Sequence, residues 1–154
     1  MGGGLGIQLD SSPTVTDCLF DTLVANAASQ GGGLTVREAA PSLQNTIIAF
    51  SSSGKALCCL ESSGATLICC DLYGNDGGDW IGCIAPQLGT QGNIATDPLF
   101  CDLGAGDFTL QDDSPCAPFS PPNPECDLIG AQEVGCGGTP TRTATWGGIK
   151  ALLR

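Results

Sequence analysis

The chain has 154 residues, and its 16 carboxylates against 5 lysines and arginines give a net charge of -11. This charge repels nucleic acid phosphates and anionic membranes, so we expect no nucleic acid partner, and no stretch is long enough to span a bilayer. With 23 glycines, 10 prolines and aromatic residues at 5%, the composition favours tight turns and small apolar side chains over helices, in one domain.

The first elements of the chain belong to a repeat. The glycine-rich unit Gly2–Phe20 aligns almost without gaps with Gly31–Ile48, and shorter copies follow at Thr66–Tyr73 and Asn93–Phe100. A period near 25 residues, with short β segments and Gly, Ser and Asn turns, is too short for helix pairs. It predicts one coil of a parallel β-helix per repeat.

Stacked coils should place like residues in columns. Three columns of the repeat are mostly apolar: Val15, Leu43, Ile68 and Ala95; Leu19, Ile47, Leu72 and Leu99; Phe20, Ile48, Tyr73 and Phe100. A further column falls where the chain must turn: Asp17, Asn45, Cys70 and Asp97. We predict that the polar side chains of this column bond the backbone of the neighbouring coil.

The loop after the third copy combines oxygen ligands, aromatic rings and glycines. Its candidate ligand residues for calcium or a sugar are Asp71, Tyr73, Asn75, Asp76, Asp79 and Trp80. Against a calcium site, the spacing is not that of an EF-hand, the bidentate Glu is missing, and Asn-Asp-Gly-Gly is ordinary turn chemistry. Asp76 and Asp79 are also the nearest pair of carboxylates that could cleave a glycosidic bond.

The C-terminal part of the chain resembles a known ending. Its motifs are Asp97–Cys101, Gly106–Leu110, Asp113–Ala117 and Leu128–Ala131. They are similar to the run that ends many right-handed parallel β-helix proteins of the pectate-lyase-like superfamily, in bacterial secreted or cell-surface chains. The resemblance implies an all-β, single-stranded solenoid with about four coils in residues 1–100 and a disulfide-rich cap in residues 101–138.

Enzymes of that superfamily use acidic calcium ligands with an Arg or Lys base, or grouped carboxylates. The repeats offer only Arg37 and Lys55 as cations, and neither lies in a motif that matches a catalytic one. We therefore assign no catalytic residue and no cofactor, with calcium as the one candidate ion.

Ten cysteines without a histidine indicate disulfides rather than zinc, and hence an oxidising compartment, either outside the cell or in a periplasm. We predict bridges Cys101–Cys116 and Cys126–Cys136, which close short loops. The adjacent pairs Cys58-Cys59 and Cys69-Cys70 are candidates for bridges across neighbouring strands, with Cys18 and Cys83 as further candidates. A thiophilic metal or redox chemistry is the alternative for the adjacent cysteines.

The two ends carry separate expectations. Met1–Leu5 has no export signal and no cap for the first coil, so we expect upstream coils of the same parent chain to precede it. Residues 139–154 read as a threonine-rich linker and a short cationic tail, similar to Trp-Gly-x-Ile-Lys tails of some bacterial secreted proteins. The tail is either a sorting or anchoring segment or a frayed terminus.

Three functions are consistent with these features. The first is a non-catalytic extracellular β-helix module with a structural, adhesive or polysaccharide-contacting role. The second is a fragment of a carbohydrate-active enzyme, either a polysaccharide lyase or a glycoside hydrolase. The third is a calcium-dependent binding module built on the loop from Asp71 to Asp79.

Overall fold

The computed structural model describes residues 5–8, 10–21 and 31–137. These residues form an all-β solenoid, as the repeat predicts, and it has about five turns where about four coils were expected. The first coil contains β1 (Leu5–Gln8), β2 (Thr14–Thr16) and β3 (Leu19–Asp21). The second contains β4 (Gly31–Arg37), β5 (Ser42–Gln44) and β6 (Ile47–Ala49). The third contains β7 (Lys55–Leu60), β8 (Thr66–Ile68) and β9 (Asp71–Tyr73).

Equivalent strands of successive coils stack into three parallel sheets, ordered β1-β4-β7, β2-β5-β8 and β3-β6-β9. Like residues therefore lie on like, with Leu34 on Leu57 and Leu43 on Leu67. These four side chains are at most 1% exposed and fill the interior of the coils. Because no coil can bury its apolar face alone, stacking supplies the main stabilisation of the solenoid.

The predicted columns are correct for the first two coils and shifted by one residue in the third. Leu43 pairs with Leu67, not Ile68, and the next column is Leu19, Ile47 and Asp71. Side chains alternate between the two faces of a strand, so a slip of one residue exchanges inside for outside. Burial decides the register, because Leu67 is fully buried whereas Ile68 is only half-buried.

The turn column is confirmed in its first two members and corrected in the others. Asp17, Asn45 and Cys69 all have left-handed backbone, with φ of 52°, 47° and 51°. The Asn45 side-chain amide donates to Asp17 Oδ1 at 3.0 Å, so this pair bonds side chain to side chain and not side chain to backbone as predicted. Cys69, not Cys70, occupies the next turn, and the Cys69 amide donates to the Gln91 carbonyl.

The fourth copy of the repeat does not form a regular coil. After β9 the chain makes a short 3-10 helix (Gly82–Gln87) and one isolated parallel bridge, between Asp71 and Ile94. Ile94, and not Ala95 or Leu99, thus continues a column of the coils. The reason is that the 3-10 helix and its turns interrupt the strands, which a fixed template cannot anticipate.

The cap consists of β10 (Phe100–Asp102), a 3-10 turn (Leu103–Ala105), β11 (Asp107–Gln111) and β12 (Val134–Cys136). These strands form a sheet ordered β10-β11-β12, antiparallel between the first two and parallel between the last two. The sequence predicts that the cap covers the end of the stack. Its residues also pack beside the stack, because Ile47 and Ala49 of β6 share a second apolar core with Phe100, Leu110 and Ile129.

The disulfides join Cys59 to Cys83, Cys69 to Cys126 and Cys101 to Cys136. The predicted bridges Cys101–Cys116 and Cys126–Cys136 are therefore wrong. Short loops were the basis of that prediction, but coil stacking brings together cysteines 24 residues apart and cap packing brings together cysteines 57 apart. Of the remaining candidates, Cys58, Cys70 and Cys116 are buried free thiols and Cys18 is a half-buried one.

Candidate functional site

The loop predicted as a ligand site, residues 71–80, uses its carboxylate and amide groups to hold its own shape. Asp79 Oδ2 accepts the Gly74 amide at 3.1 Å, and Asp79 Oδ1 accepts the Asn75 amide at 2.9 Å. The Asn75 side chain also donates to Asp79 Oδ1 at 2.6 Å. A carboxylate that already accepts three hydrogen bonds from its own loop has little capacity left for an external ligand.

Asn75 ties this loop to the second coil. Its side chain is buried, donates to the Ile48 carbonyl at 2.9 Å, and accepts the Ser51 amide at 3.1 Å. Gly77 permits this close approach, because a Cβ there would lie 2.2 Å from the carbonyl carbon of Gly54. The loop is thus a structural turn between coils.

The six predicted ligand residues do not converge on one point. Asp71 is fully buried, Asp76 is exposed, and Trp80 is buried with its indole N–H donating to the Ile94 carbonyl at 2.9 Å. The ring of Tyr73 packs edge-on against Phe50, with 5.9 Å between centroids. Within residues 5–8, 10–21 and 31–137, no group of three or more Cys, Asp or Glu side chains is arranged to hold a metal ion.

Asp71 lies between the third coil and the cap, in the column where Ile47 and Ile94 are its neighbours. Its Oδ1 accepts the Thr96 amide at 3.1 Å and its Oδ2 accepts the Cys116 thiol at 3.1 Å. Burial is the main cause that raises the pKa of Asp71 to about 7, and the carboxylates of Asp79 and Asp97 contribute to this rise. Asp71 is therefore a structural acid that is partly protonated at neutral pH.

The buried thiols lack the features of reactive cysteines. Burial, followed by the charge of Asp71, raises the pKa of Cys116 above its ordinary value. Burial also raises the pKa of Cys70 to about 11, and its thiol donates to the Ile68 carbonyl at 3.3 Å. Because the thiolate is the nucleophile and the metal ligand, these protonated thiols do not support the redox or metal alternative.

A cleft with aromatic walls lies where the second coil and the fourth turn meet the cap. It has a volume of about 230 Å³ and is lined by Phe50, Asp97, Leu99, Phe100, Leu103 and Gln111. We call it the aromatic cleft. Phe50 lies 6.2 Å from Phe100 between ring centroids, and Phe100 lies 5.6 Å from Phe108, so edge-to-face contacts fix the walls.

Two polar side chains line the aromatic cleft beside these rings. Asp97 Oδ1 accepts the Leu99 amide at 3.0 Å, and Gln111 Nε2 donates to the Phe100 carbonyl at 3.1 Å. Both side chains are thereby held in place. In the described part of the chain, Asp97 Oδ2 and Gln111 Oε1 have no hydrogen-bond partner, so both are available to a ligand.

No protein-family model, curated protein or solved structure matches this chain.

The aromatic cleft was not found by sequence reasoning. Asp97, Leu99 and Phe100 were placed in the repeat columns, while Phe50, Leu103 and Gln111 were not singled out. The one signal in the sequence for an aromatic cluster was the predicted column that contains both Tyr73 and Phe100. The cleft forms because the fourth turn leaves the repeat, and the template had no way to anticipate that departure.

Proposed function

We propose that this chain is a non-catalytic extracellular β-helix module that contacts polysaccharide through the aromatic cleft. The observation that carries the proposal is the combination of Phe50 and Phe100 with the uncommitted acceptors of Asp97 and Gln111. Binding sites for small polar ligands combine aromatic walls with a few fixed polar groups in this way. The stacked coils supply a rigid support for such a surface.

The extracellular assignment is supported by the three disulfides, which persist in oxidising compartments. No helix in the described ranges is long and apolar enough to cross a membrane. Together with the ending of the chain, the stacked parallel sheets support membership of the pectate-lyase-like superfamily of bacterial secreted proteins. Secretion and superfamily membership are both parts of this proposal.

The hydrogen bonding and burial of the candidate carboxylates favour a non-catalytic role over the role of a lyase or glycosidase. Asp79 is bonded to its own loop, and Asp71 is buried against Cys116. Glycoside hydrolysis needs two carboxyl groups that face one sugar-binding space, one as acid and one as base or nucleophile. Among the described residues that line the aromatic cleft, one carries a carboxyl group, Asp97.

The charge of the protein narrows the class of polysaccharide. A net charge of -11 and the carboxylate of Asp97 in the cleft disfavour uronic acid polymers, because like charges repel. Neutral sugars and N-acetylated amino sugars carry no such penalty. We therefore propose neutral or N-acetylated polymers as the ligand class.

The test is a glycan array of neutral, N-acetylated and uronic polymers, together with assays for reducing ends and unsaturated products. We expect binding to neutral or N-acetylated polymers without product release. Phe50→Ala should weaken binding about tenfold, equivalent to about 1.4 kcal/mol. Phe119→Ala is the matched control, because this exposed ring does not line the cleft and its loss should leave binding unchanged. Release of product from any polymer would instead support the enzyme alternative.

A further inference from the structure

The free side-chain groups of the aromatic cleft are hydrogen-bond acceptors. Asp97 Oδ2 and Gln111 Oε1 have no partner among the residues that the structure describes. The amide nitrogen Gln111 Nε2, in contrast, already donates to the Phe100 carbonyl at 3.1 Å. Because a carboxylate and an amide oxygen can only accept, a ligand in this cleft must supply the N–H or O–H groups that bond them.

The carboxylate of Asp97 has no counter-ion within residues 5–8, 10–21 and 31–137. The cations of these ranges are Arg37 and Lys55, and neither lines the cleft. Arg37 is paired instead with Glu61, at 2.5 Å between Nη2 and Oε1. Asp97 is half-buried, so water and salt screen its charge less than that of an exposed carboxylate. An uncompensated negative charge in a cleft attracts a cation.

The walls of the cleft distinguish a metal ion from an organic cation. Calcium takes about six to eight oxygen ligands. The free side-chain oxygens here are those of Asp97 and Gln111, and the other described lining residues are two phenylalanines and two leucines. Aromatic rings attract ammonium groups through the negative charge of their π-systems, and apolar walls pack on the CH groups that surround such a cation. The lining therefore favours an organic ammonium group.

We propose that the aromatic cleft prefers a free amino sugar, as its ammonium ion, to the N-acetylated form of the same sugar. The ammonium group donates to Asp97 Oδ2, the sugar hydroxyls donate to Gln111 Oε1, and the sugar ring packs on Phe50. N-acetylation removes the positive charge and two of the three N–H donors, so it weakens the contact with Asp97. This inference rests on the proposed polysaccharide contact and extends its ligand class from the N-acetylated amino sugar to the free amine.

The test compares chitohexaose with its fully deacetylated counterpart, the glucosamine hexamer. Each is titrated calorimetrically into the full chain at mildly acidic pH, where the amines of the glucosamine hexamer are protonated. Salt at about 0.15 M limits the attraction of carboxylates elsewhere on the surface to a distance of about 8 Å. We expect the glucosamine hexamer to bind about tenfold tighter, because a hydrogen bond from a charged donor to a carboxylate is stronger than one from a neutral donor.

The variant Asp97→Asn locates the preference in the cleft. Asparagine keeps an oxygen that can accept the Leu99 amide but lacks the charge, so the two hexamers should bind this variant with similar affinity. The matched control Asp76→Asn removes the same unit of charge from an exposed carboxylate outside the cleft, and it should keep the preference. Backbone amide spectra that match the wild type outside the cleft verify that both variants are folded.

Two outcomes would overturn this inference and leave the polysaccharide contact standing. The first is binding of chitohexaose that is as tight as that of the glucosamine hexamer, or tighter. The second is a preference that Asp97→Asn and Asp76→Asn reduce equally, which would assign it to the overall negative charge of the protein. If neither hexamer nor cellohexaose bound, the polysaccharide contact itself would be wrong, and this inference with it.

Discussion

Asp71 is a carboxyl group enclosed between the third coil and the cap, and its buried state has a consequence for stability. Its folded pKa is about 7, against an ordinary value of 3.8. Between these values the folded state holds a proton that the unfolded state has lost. The contribution of Asp71 to stability is therefore full below pH 4, falls as the pH rises towards 7, and is lost above it.

We predict that Asp71→Asn removes this pH dependence. The wild-type protein should lose on the order of 4 kcal/mol of unfolding free energy between pH 4 and pH 8 through this group. Denaturant unfolding at both pH values measures the loss, and the variant should show a much smaller one. Asp113→Asn, an exposed carboxylate in the cap, is the control and should behave as the wild type. An equal slope in Asp71→Asn and wild type would show that Asp71 is not the responsible group.

The sequence identified Asp71 as notable but assigned it the wrong role. Its position beside Asn75, Asp76 and Asp79 suggested a ligand cluster on the surface. The decisive contact is with Cys116, 45 residues away, and it arises only because the cap folds back beside β9. Local spacing carries no information about such a contact, so a sequence-based interpretation could not have found it.

At the scale of elements, the turn after β9 acts as a clamp between coils. Asn75 bonds the Ile48 carbonyl and the Ser51 amide of the preceding coil. We predict that Asn75→Ala lowers the unfolding free energy by about 2 kcal/mol, because it removes the side-chain acceptor of the buried Ser51 amide and the bond to the Ile48 carbonyl. Asp76→Ala, in the same exposed turn, should change it by less than about 0.5 kcal/mol. Thermal unfolding of the two variants separates them, and similar losses would argue against a clamp.

The hydrogen bonds of Asp79 in the same turn predict how calcium affects the melting temperature. Because Asp79 already bonds the amides of Gly74 and Asn75, we expect no rise in melting temperature on adding millimolar calcium. Calorimetry with calcium and with a chelator measures this directly. A calcium-dependent rise that Asp76→Ala abolishes would restore the calcium-binding hypothesis.

The bridge between Cys69 and Cys126 joins the third coil to the cap. It closes a loop of 57 residues, for which the loss of chain entropy predicts about 4 kcal/mol of stabilisation. We predict that Cys69→Ala/Cys126→Ala lowers stability by this order and loosens the cap, as hydrogen exchange would show. Replacing the free thiol in Cys58→Ala is the control. Peptide mapping without reduction checks the pairing first, since a Cys126–Cys136 peptide would contradict it.

The strands were the most predictable elements. Gly31–Ile48 contains alternating apolar residues between turns, and these positions form β4, β5 and β6. The register of β8 was less predictable, because Leu67 and Ile68 are both apolar and only three-dimensional burial distinguishes them. The disulfide pairing was the least predictable feature. It depends on which coil contacts which part of the cap, and the sequence does not show this.

At the scale of the whole molecule, the stack of coils and the cap create features that no single repeat contains. The aromatic cleft needs Phe50 from the end of the second coil, Asp97 from the fourth turn and Gln111 from the cap. The repeat predicts the solenoid, because periodicity is a property of the sequence. The cleft results from the break in that periodicity, so it could be recognised only in the three-dimensional structure.

The central claim is that the aromatic cleft, and not the loop of residues 71–80, is the site of polysaccharide contact. Mapping of backbone amide chemical shifts, with cellohexaose, chitohexaose and oligogalacturonate added in turn, tests this most directly. We predict that cellohexaose or chitohexaose shifts the amides of Phe50, Leu99, Phe100 and Gln111, while oligogalacturonate shifts none of them. Shifts concentrated at Asp76–Trp80, or no shift with any of the three sugars, would contradict it.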